Sequence, residues 1–348
     1  MGFDAQHGNH AEQRRYEKTL MKALVYTHYG SPDVLQLKEI EKPIPGDSEV
    51  LVKVHAATVN RTDCATIRAI PFFVRVVTGL FRPKKQIPGT EFAGEIEAIG
   101  KRVSSVKTGD RVFGFYDQGA ESHAQYLTIK EGNVTTIPGS LSYEQAAASS
   151  EGAHYAYNFI NKVNLQSGQD ILVNGATGAI GSAAVQLLNY FGANVTAVCG
   201  TKHIELVKSL GANKVVDYTK DDFTKQRHKF DFVFDTVGKS SFFKCYHLLK
   251  PGGIYISSDL GYLSQNIYLP LITPVIKPIL GNKKTIFPTP KDIKGSLKLV
   301  KTLIEHDKFR AVLDKEFTLE QIIEAFKYVE QGQKTGNVVI TVGHDRKT

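Results

Sequence analysis

At 348 residues, 42% of them hydrophobic, the chain is long enough to bury two domain cores. Its formal net charge of +8 is concentrated, because Lys277, Lys283, Lys284, Lys291, Lys294, Lys298 and Lys301 face one acid, Asp292, over that stretch. No aromatics interleave with these lysines as in a single-strand nucleic-acid platform, so a solvated face is the simpler reading and a nucleic-acid partner is not expected. Cys64, Cys199 and Cys245 form no C-x-x-C pair and no disulfide framework, which fits a reducing, cytoplasmic setting.

Residues 1–20 read as a polar extension with no apolar core for a signal peptide, so Arg14-Arg15 is not an export signal. Strand alternation begins at Met21. Short strands separated by turns are predicted at Lys22–Tyr26, Leu35–Ile40, Val50–Val59, Gly94–Ile99, Arg111–Phe115 and Ala124–Ile129. Helical periodicity is scarce there, and this half reads as a β-rich partial barrel. A helical stretch from Tyr143 to Phe159 follows.

Asp170 to Asn174 is an aliphatic strand that breaks into Gly175-Ala176-Thr177-Gly178-Ala179-Ile180-Gly181 and restarts with helical spacing. In a strand–turn–helix of this kind the first glycine turns the chain and the second lets backbone approach a pyrophosphate. The third lets the helix pack on its strand. Further strands at Asn194–Cys199, Lys214–Tyr218, Phe230–Asp235, Gly253–Ser257 and Lys284–Phe287 alternate with helices such as Ile204–Leu210. That alternation predicts an α/β fold with a doubly wound parallel Rossmann-type sheet, with a dinucleotide at its first glycine loop.

From Ser182 through Thr201 there is no Asp or Glu to bond a ribose 2′-OH. Thr201-Lys202 ends the second strand instead, a hydroxyl and a cation that suit a 2′-phosphate, so NADPH is the expected cofactor. A solvated first-turn lysine is the other reading of Lys202. The apolar run Ile267–Leu280 is interrupted by Pro270, Pro274, Lys277 and Pro278 and is too short to span a membrane. It reads as a flap over a pocket or a contact between copies. A helix at Ile293–His306, a helix at Leu319–Val329 and a strand at Val338–Val342 complete the chain.

With that order of elements, the segments PGTEFAGEIEAIG (88–100), GDRVFG (109–114), NGATGAIGS (174–182) and KTGNVVITV (334–342) resemble the medium-chain dehydrogenase/reductase superfamily. Within it the chain is most similar to the zinc-free quinone oxidoreductase group, over nearly all of residues 21–342. The resemblance implies a GroES-like catalytic domain over 21–145 and 289–348, a Rossmann domain over 146–288, and a homodimer joined through the sixth strands. Alcohol dehydrogenases of the superfamily carry Cys where this chain has Asn60 and His where it has Thr90, and neither replacement is a normal zinc ligand. No metal is therefore expected.

The resemblance also places Asn60 near the nicotinamide and Thr62 where it could donate to the substrate oxygen. From sequence alone, Asn60 could equally be the cap of a helix starting near Thr62. Asp63 and Glu91 could orient neighbours, including Arg61. By resemblance Tyr218 packs near the adenosine, Val237 on the nicotinamide and Ser257 beside it, with Asn337 as a late cofactor contact; Tyr218 also reads as an edge tyrosine. Tyr246-x-x-x-Lys250 has the spacing of a short-chain dehydrogenase pair but ends at Pro251, and is taken as chance.

The expected activity is zinc-independent, NADPH-dependent reduction of a quinone or an α,β-unsaturated carbonyl, with a small-molecule acceptor. Two other readings stay open: an NAD(P)-dependent alcohol or aldehyde dehydrogenase, and an NADPH-binding regulatory or RNA-binding protein with little turnover.

Overall fold

The computed structural model describes residues 19–344 apart from 71, 73, 140, 262, 263 and 277. The extension expected before Met21 lies almost wholly outside the described residues.

β1 (Leu20–Val25) and β2 (Gln36–Glu41) form an antiparallel pair. β3 (Glu49–Val59) is the spine of a seven-stranded sheet and is buried along most of its length. It leads directly into α1 (Arg61–Arg68), followed by α2 (Val74–Thr78), β4 (Glu91–Ile99), β5 (Arg111–Phe115), β6 (Tyr126–Lys130) and β7 (Val134–Thr136). These strands pair antiparallel, as the short alternating runs predict.

The helix expected over 143–159 is two helices, α3 (Tyr143–Ala147) and α4 (Glu151–Asn161). Ser149 and Ser150 break it: their hydroxyls donate back to the carbonyls of Gln145 (2.7 Å) and Ala147 (3.2 Å), competing with the helical ladder. The break makes Glu151 the first residue of α4.

The second sheet is parallel. Its elements are β8 (Asp170–Asn174), α5 (Ala179–Tyr190), β9 (Asn194–Cys199), α6 (Ile204–Ser209) and β10 (Lys214–Asp217). After them come β11 (Phe230–Asp235), α7 (Phe242–Cys245), β12 (Leu249–Ser257), α8 (Gln265–Ile272) and β13 (Lys284–Ile286). The strand order β10-β9-β8-β11-β12-β13 reverses between β8 and β11, and a crevice opens at their carboxyl ends. Phe232, Phe234, Val173 and Leu187 are among the buried side chains between this sheet and its helices. β12 starts at Leu249, earlier than expected, because Lys250 pairs with Asp170 (2.9 Å) and Asp231 (2.8 Å) at the amino ends of β8 and β11. That is the end of the sheet away from the glycine loop, so the Tyr246/Lys250 pair has a structural role.

α9 (Ile293–Glu305) joins both halves: Val300 and Leu303 enter the core of the parallel sheet, and Leu297 packs with Ala56, Ala93 and Phe113 of the other. The chain then forms β14 (Leu313–Thr318), α10 (Ile322–Glu330) and β15 (Asn337–Thr341). β14 escaped sequence reading because its Asp-Lys-Glu centre is polar and largely exposed. β15 pairs antiparallel with β3, which completes the seven-stranded sheet. Just before β15, the Gly336 N–H donates to Thr177 O (2.6 Å), tying the returning chain to the glycine loop.

Candidate active site

Between the two sheets lies a cleft of about 810 Å³. Its floor is the glycine loop. Gly175, at φ +80°, sits so close to Val237 that an added Cβ would come within 2.7 Å of it, and a Cβ on Gly181 would meet Gly175 O at 2.1 Å. These two glycines are required by the fold of the loop itself. A Cβ on Gly178 would meet nothing nearer than 3.8 Å, so this backbone borders open space. Gly178 caps α5 without a side-chain partner for the first helical N–H groups, an arrangement suited to phosphate.

At one end the cleft is lined by Thr201, Lys202, His203, Tyr218 and Thr219. The Thr201 hydroxyl donates to Asp217 at 2.5 Å, so its proton is already committed. The Asp217 carboxyl is held below its usual range by the hydroxyls of Thr201 and Thr219. Lys202 is exposed beside them.

At the other end Asn60, Arg61, Thr62, Glu151 and Lys334 line the cleft. Asn60 caps α1 in a capping box with Asp63, whose carboxylate accepts from the Asn60 N–H at 2.8 Å. The helix-cap reading of Asn60 holds, and its side chain also lines the cleft. Its side-chain amide nitrogen lies 2.8 Å from Glu91 Oε1, 3.1 Å from Glu151 Oε2 and 3.1 Å from Thr58 Oγ1. Lys334 Nζ donates to Asn60 Oδ1 at 3.0 Å, and also to Gly336 O. Thr62 Oγ1 donates to Glu151 Oε1 at 2.5 Å, Thr90 Oγ1 to Glu151 Oε2 at 3.1 Å, and the Glu151 N–H to Glu91 Oε2 at 2.7 Å.

Three carboxyl groups and one ammonium share this buried network, so full ionisation would leave uncompensated negative charge out of water. Burial, then the neighbouring Glu151, pushes Glu91 up to about 8. Burial also raises Asp63 and Glu151 and lowers the Lys334 ammonium.

Of the site residues expected from sequence, the cleft brings together Asn60, Thr62, Gly175, Thr177, Gly178, Ala179, Ile180, Thr201, Lys202, Tyr218 and Val237. Ala176 is buried in the core behind the loop, and Gly181 stands behind Gly175. Ser257 and Asn337 are buried away from the lining; the Asn337 amide donates to Ala148 O and Val312 O, both at 3.2 Å. Asp63 and Glu91 orient Asn60, not Arg61. The Arg61 guanidinium instead reaches Val237 O (3.1 Å) and Asp259 (3.6 Å) on the parallel-sheet side. Sequence reading missed Glu151 and Lys334. The available signals were a lone acid after Ser149-Ser150 in an otherwise small, apolar run, and the lysine opening the KTGNVVITV segment.

The family described as "Alcohol dehydrogenase GroES-like domain" matches residues 46–162, and "Zinc-binding dehydrogenase" matches residues 210–340. The 2-methylene-furan-3-one reductase of Solanum lycopersicum is 33% identical over 92% of this chain and 79% of its own length. The NADPH-dependent alkenal/one oxidoreductase of Arabidopsis thaliana, a chloroplastic protein, is 29% identical over the same shares. The quinone oxidoreductase of Coxiella burnetii superposes with a TM-score of 0.82 at 25% identity, covering 93% of this chain and all of that one.

The donors here do not fit zinc. Asn60 and Thr90 are not ordinary ligands, the Glu91 and Glu151 oxygens already accept hydrogen bonds, and an ammonium stands 3.0 Å from Asn60. Among the described residues no three His, Cys, Asp or Glu side chains could hold a metal ion.

The two kinds of glycine predict different losses. Gly178→Ala should leave the melting temperature within about 2 °C of wild type, since its Cβ meets nothing nearer than 3.8 Å, yet weaken dinucleotide binding at least about 10-fold in a fluorescence titration. Gly181→Ala should lower both stability and binding. Stability should also depend on pH. Glu91 holds a proton in the folded protein up to about pH 8 that the unfolded chain, at its ordinary 4.5, has released. This contribution is full below the unfolded value and lost as pH rises through 8. The half-buried His55 and the buried His123 and His154, each drawn down to about 4 from 6.5, act in the opposite sense below pH 6.5. Melting temperature should therefore fall from pH 6.5 to 8, and Glu91→Gln should flatten that slope.

Proposed function

We infer the function from one premise: the chain belongs to the medium-chain dehydrogenase/reductase superfamily and is an oxidoreductase of its quinone oxidoreductase-like group. It transfers hydride from NADPH to a quinone or to the conjugated double bond of an α,β-unsaturated carbonyl compound. The observation that carries this reading is the shared cleft, in which a glycine-loop cradle meets a polar network built on Asn60 and Thr62 rather than on zinc ligands.

When bound, the reduced nicotinamide supplies the hydride. The glycine loop and the amino end of α5 would hold its pyrophosphate and Lys202 the 2′-phosphate, Tyr218 would flank the adenosine, and Val237 and Asn60 would border the nicotinamide. Support for NADPH over NADH comes from the exposed Lys202 and the lack of an acid at the end of β9, and from the NADPH-dependent relative in Arabidopsis thaliana. Thr62 offers a hydroxyl to the acceptor's carbonyl oxygen, where negative charge develops as hydride arrives. An activated acceptor suits this site because its oxyanion needs hydrogen bonds and no Lewis acid.

Three further features support the setting. Cys64, Cys199 and Cys245 are free and buried, as suits a reducing compartment such as the cytoplasm. Among the described residues no helix is long and apolar enough to cross a membrane. The three-residue edge strand β13 leaves that sheet open to a second copy.

The test is NADPH oxidation with a chelator present, against a quinone, an enone, an enal and a saturated aldehyde. Turnover of the quinone or the conjugated carbonyls that survives chelation is expected. Turnover of the aldehyde alone, lost on chelation, would contradict it, and cofactor binding without turnover would favour a binding protein. Lys202→Ala should weaken NADPH binding about 10- to 100-fold, the loss of one charge-assisted contact, and leave NADH binding unchanged.

A further inference from the structure

We propose that Glu151 is the proton source for the reduction, passing its carboxyl proton through the Thr62 hydroxyl to the acceptor oxygen, with Lys334 as the cation that stabilises the carboxylate left behind. The proposal rests on the reading of the site as one for conjugated acceptors.

Reduction of such an acceptor needs a proton as well as a hydride. Hydride, carrying two electrons, adds to the β-carbon; the C=C π bond breaks and the negative charge settles on the carbonyl oxygen. With the acceptor bound, the Thr62 hydroxyl turns its proton from Glu151 to that oxygen and takes the Glu151 proton across the same 2.5 Å contact, so the substrate becomes an enol and Glu151 a carboxylate. The enol tautomerises in water, and Glu151 regains a proton from solvent through Thr62 once the product has left the cleft. One hydride and one proton are consumed, and the nicotinamide is oxidised.

The geometry points to Glu151 among the three buried carboxyl groups. The residue is 3% exposed, yet Glu151 and Thr62 both border the cleft, and Glu151 Oε1 lies 2.5 Å from Thr62 Oγ1. Glu91 and Asp63 are not in the lining; they face Asn60 and the backbone of α1 and α4. A hydroxyl can accept one proton while donating another, which an amide such as Asn60 does far less readily. The charged and titratable groups around Glu151 are Asp63 at the start of α1, Glu91 on β4, Tyr155 on α4 and Lys334 before β15. The three acids against one ammonium keep protons in the cluster near neutral pH.

Glu151→Gln preserves the side chain's size and its capacity to accept from Thr62 but has no acidic proton. It should lower kcat for an enone at least about 100-fold, with KM within about 3-fold of wild type. Wild-type kcat should fall on the alkaline side as Glu151 ionises, and the variant should lose that limb. Thr62→Val should cost as much as Glu151→Gln, and the double variant little more, because the two act as one path. Lys334→Met should move the alkaline limb to higher pH, since it removes the cation that favours the carboxylate. A limb abolished by Lys334→Met would make the lysine the acid and overturn the proposal.

A readout independent of turnover guards against misfolded variants. In the cofactor-free protein near neutral pH, infrared difference spectra should show buried protonated-carboxyl carbonyl bands; Glu91→Gln removes the one that belongs to Glu91, and Glu151→Gln removes a second, which Thr62→Val shifts. No band lost in Glu151→Gln, or that variant at the wild-type rate with its alkaline limb intact, would overturn the relay while leaving enone reduction standing. If the wild-type protein turns over no conjugated acceptor or quinone, the proposed activity fails and the relay with it.

Discussion

The side-chain amide of Asn60 is where four distant parts of the chain meet. Its nitrogen serves Glu91 from β4 and Glu151 from α4, and its oxygen accepts from Lys334, just before β15; its backbone caps α1. Each partner is costly to bury alone, and each is made tolerable by the others. Removing the amide would take a partner from two carboxyl groups and an ammonium at once, and this interdependence fixes the ends of β3, β4, α4 and β15 relative to one another. The cleft is the space those ends leave.

The same contacts couple the halves of the molecule. Lys334 and Gly336 lie on the strand-connecting segment that returns to the seven-stranded sheet, and Gly336 is also hydrogen-bonded to the glycine loop through Thr177. Arg61 reaches the other way, from the start of α1 to Val237 O beyond β11. The dinucleotide cradle and the polar network are therefore held in register by chain segments belonging to both sheets. This is the requirement for holding a nicotinamide against an acceptor, where positioning supplies a large part of the rate.

Much of this was legible in the sequence where one force dominates. The parallel sheet follows from aliphatic runs at regular spacing, and the glycine loop from steric needs now visible at Gly175 and Gly181. Asn60 was singled out because it stands where related chains carry a Cys, and Thr62 because it lies two residues on. What was not legible depends on contacts between segments far apart in the chain. Nothing local to Lys334 says that it will point at Asn60, 274 residues away. Glu151 was hidden by a periodicity that ran through Ser149 and Ser150; besides its local bond the Ser150 hydroxyl donates to Gly114 O (3.3 Å) on β5, a partner that the local sequence does not announce. Ser257 and Asn337, expected beside the cofactor, sit at the right strand ends but turn into the protein, Asn337 toward Ala148 and Val312.

The central claim is that hydride goes to a conjugated acceptor in this cleft, and isotope transfer tests it most directly. The protein would be given NADPH deuterated at the transferred position and an α,β-unsaturated ketone, and the product analysed by mass spectrometry and NMR. Deuterium at the β-carbon, with the carbonyl retained, is the predicted result. Deuterium at the carbonyl carbon, giving an allylic alcohol, would contradict the account and place the chain among carbonyl-reducing dehydrogenases.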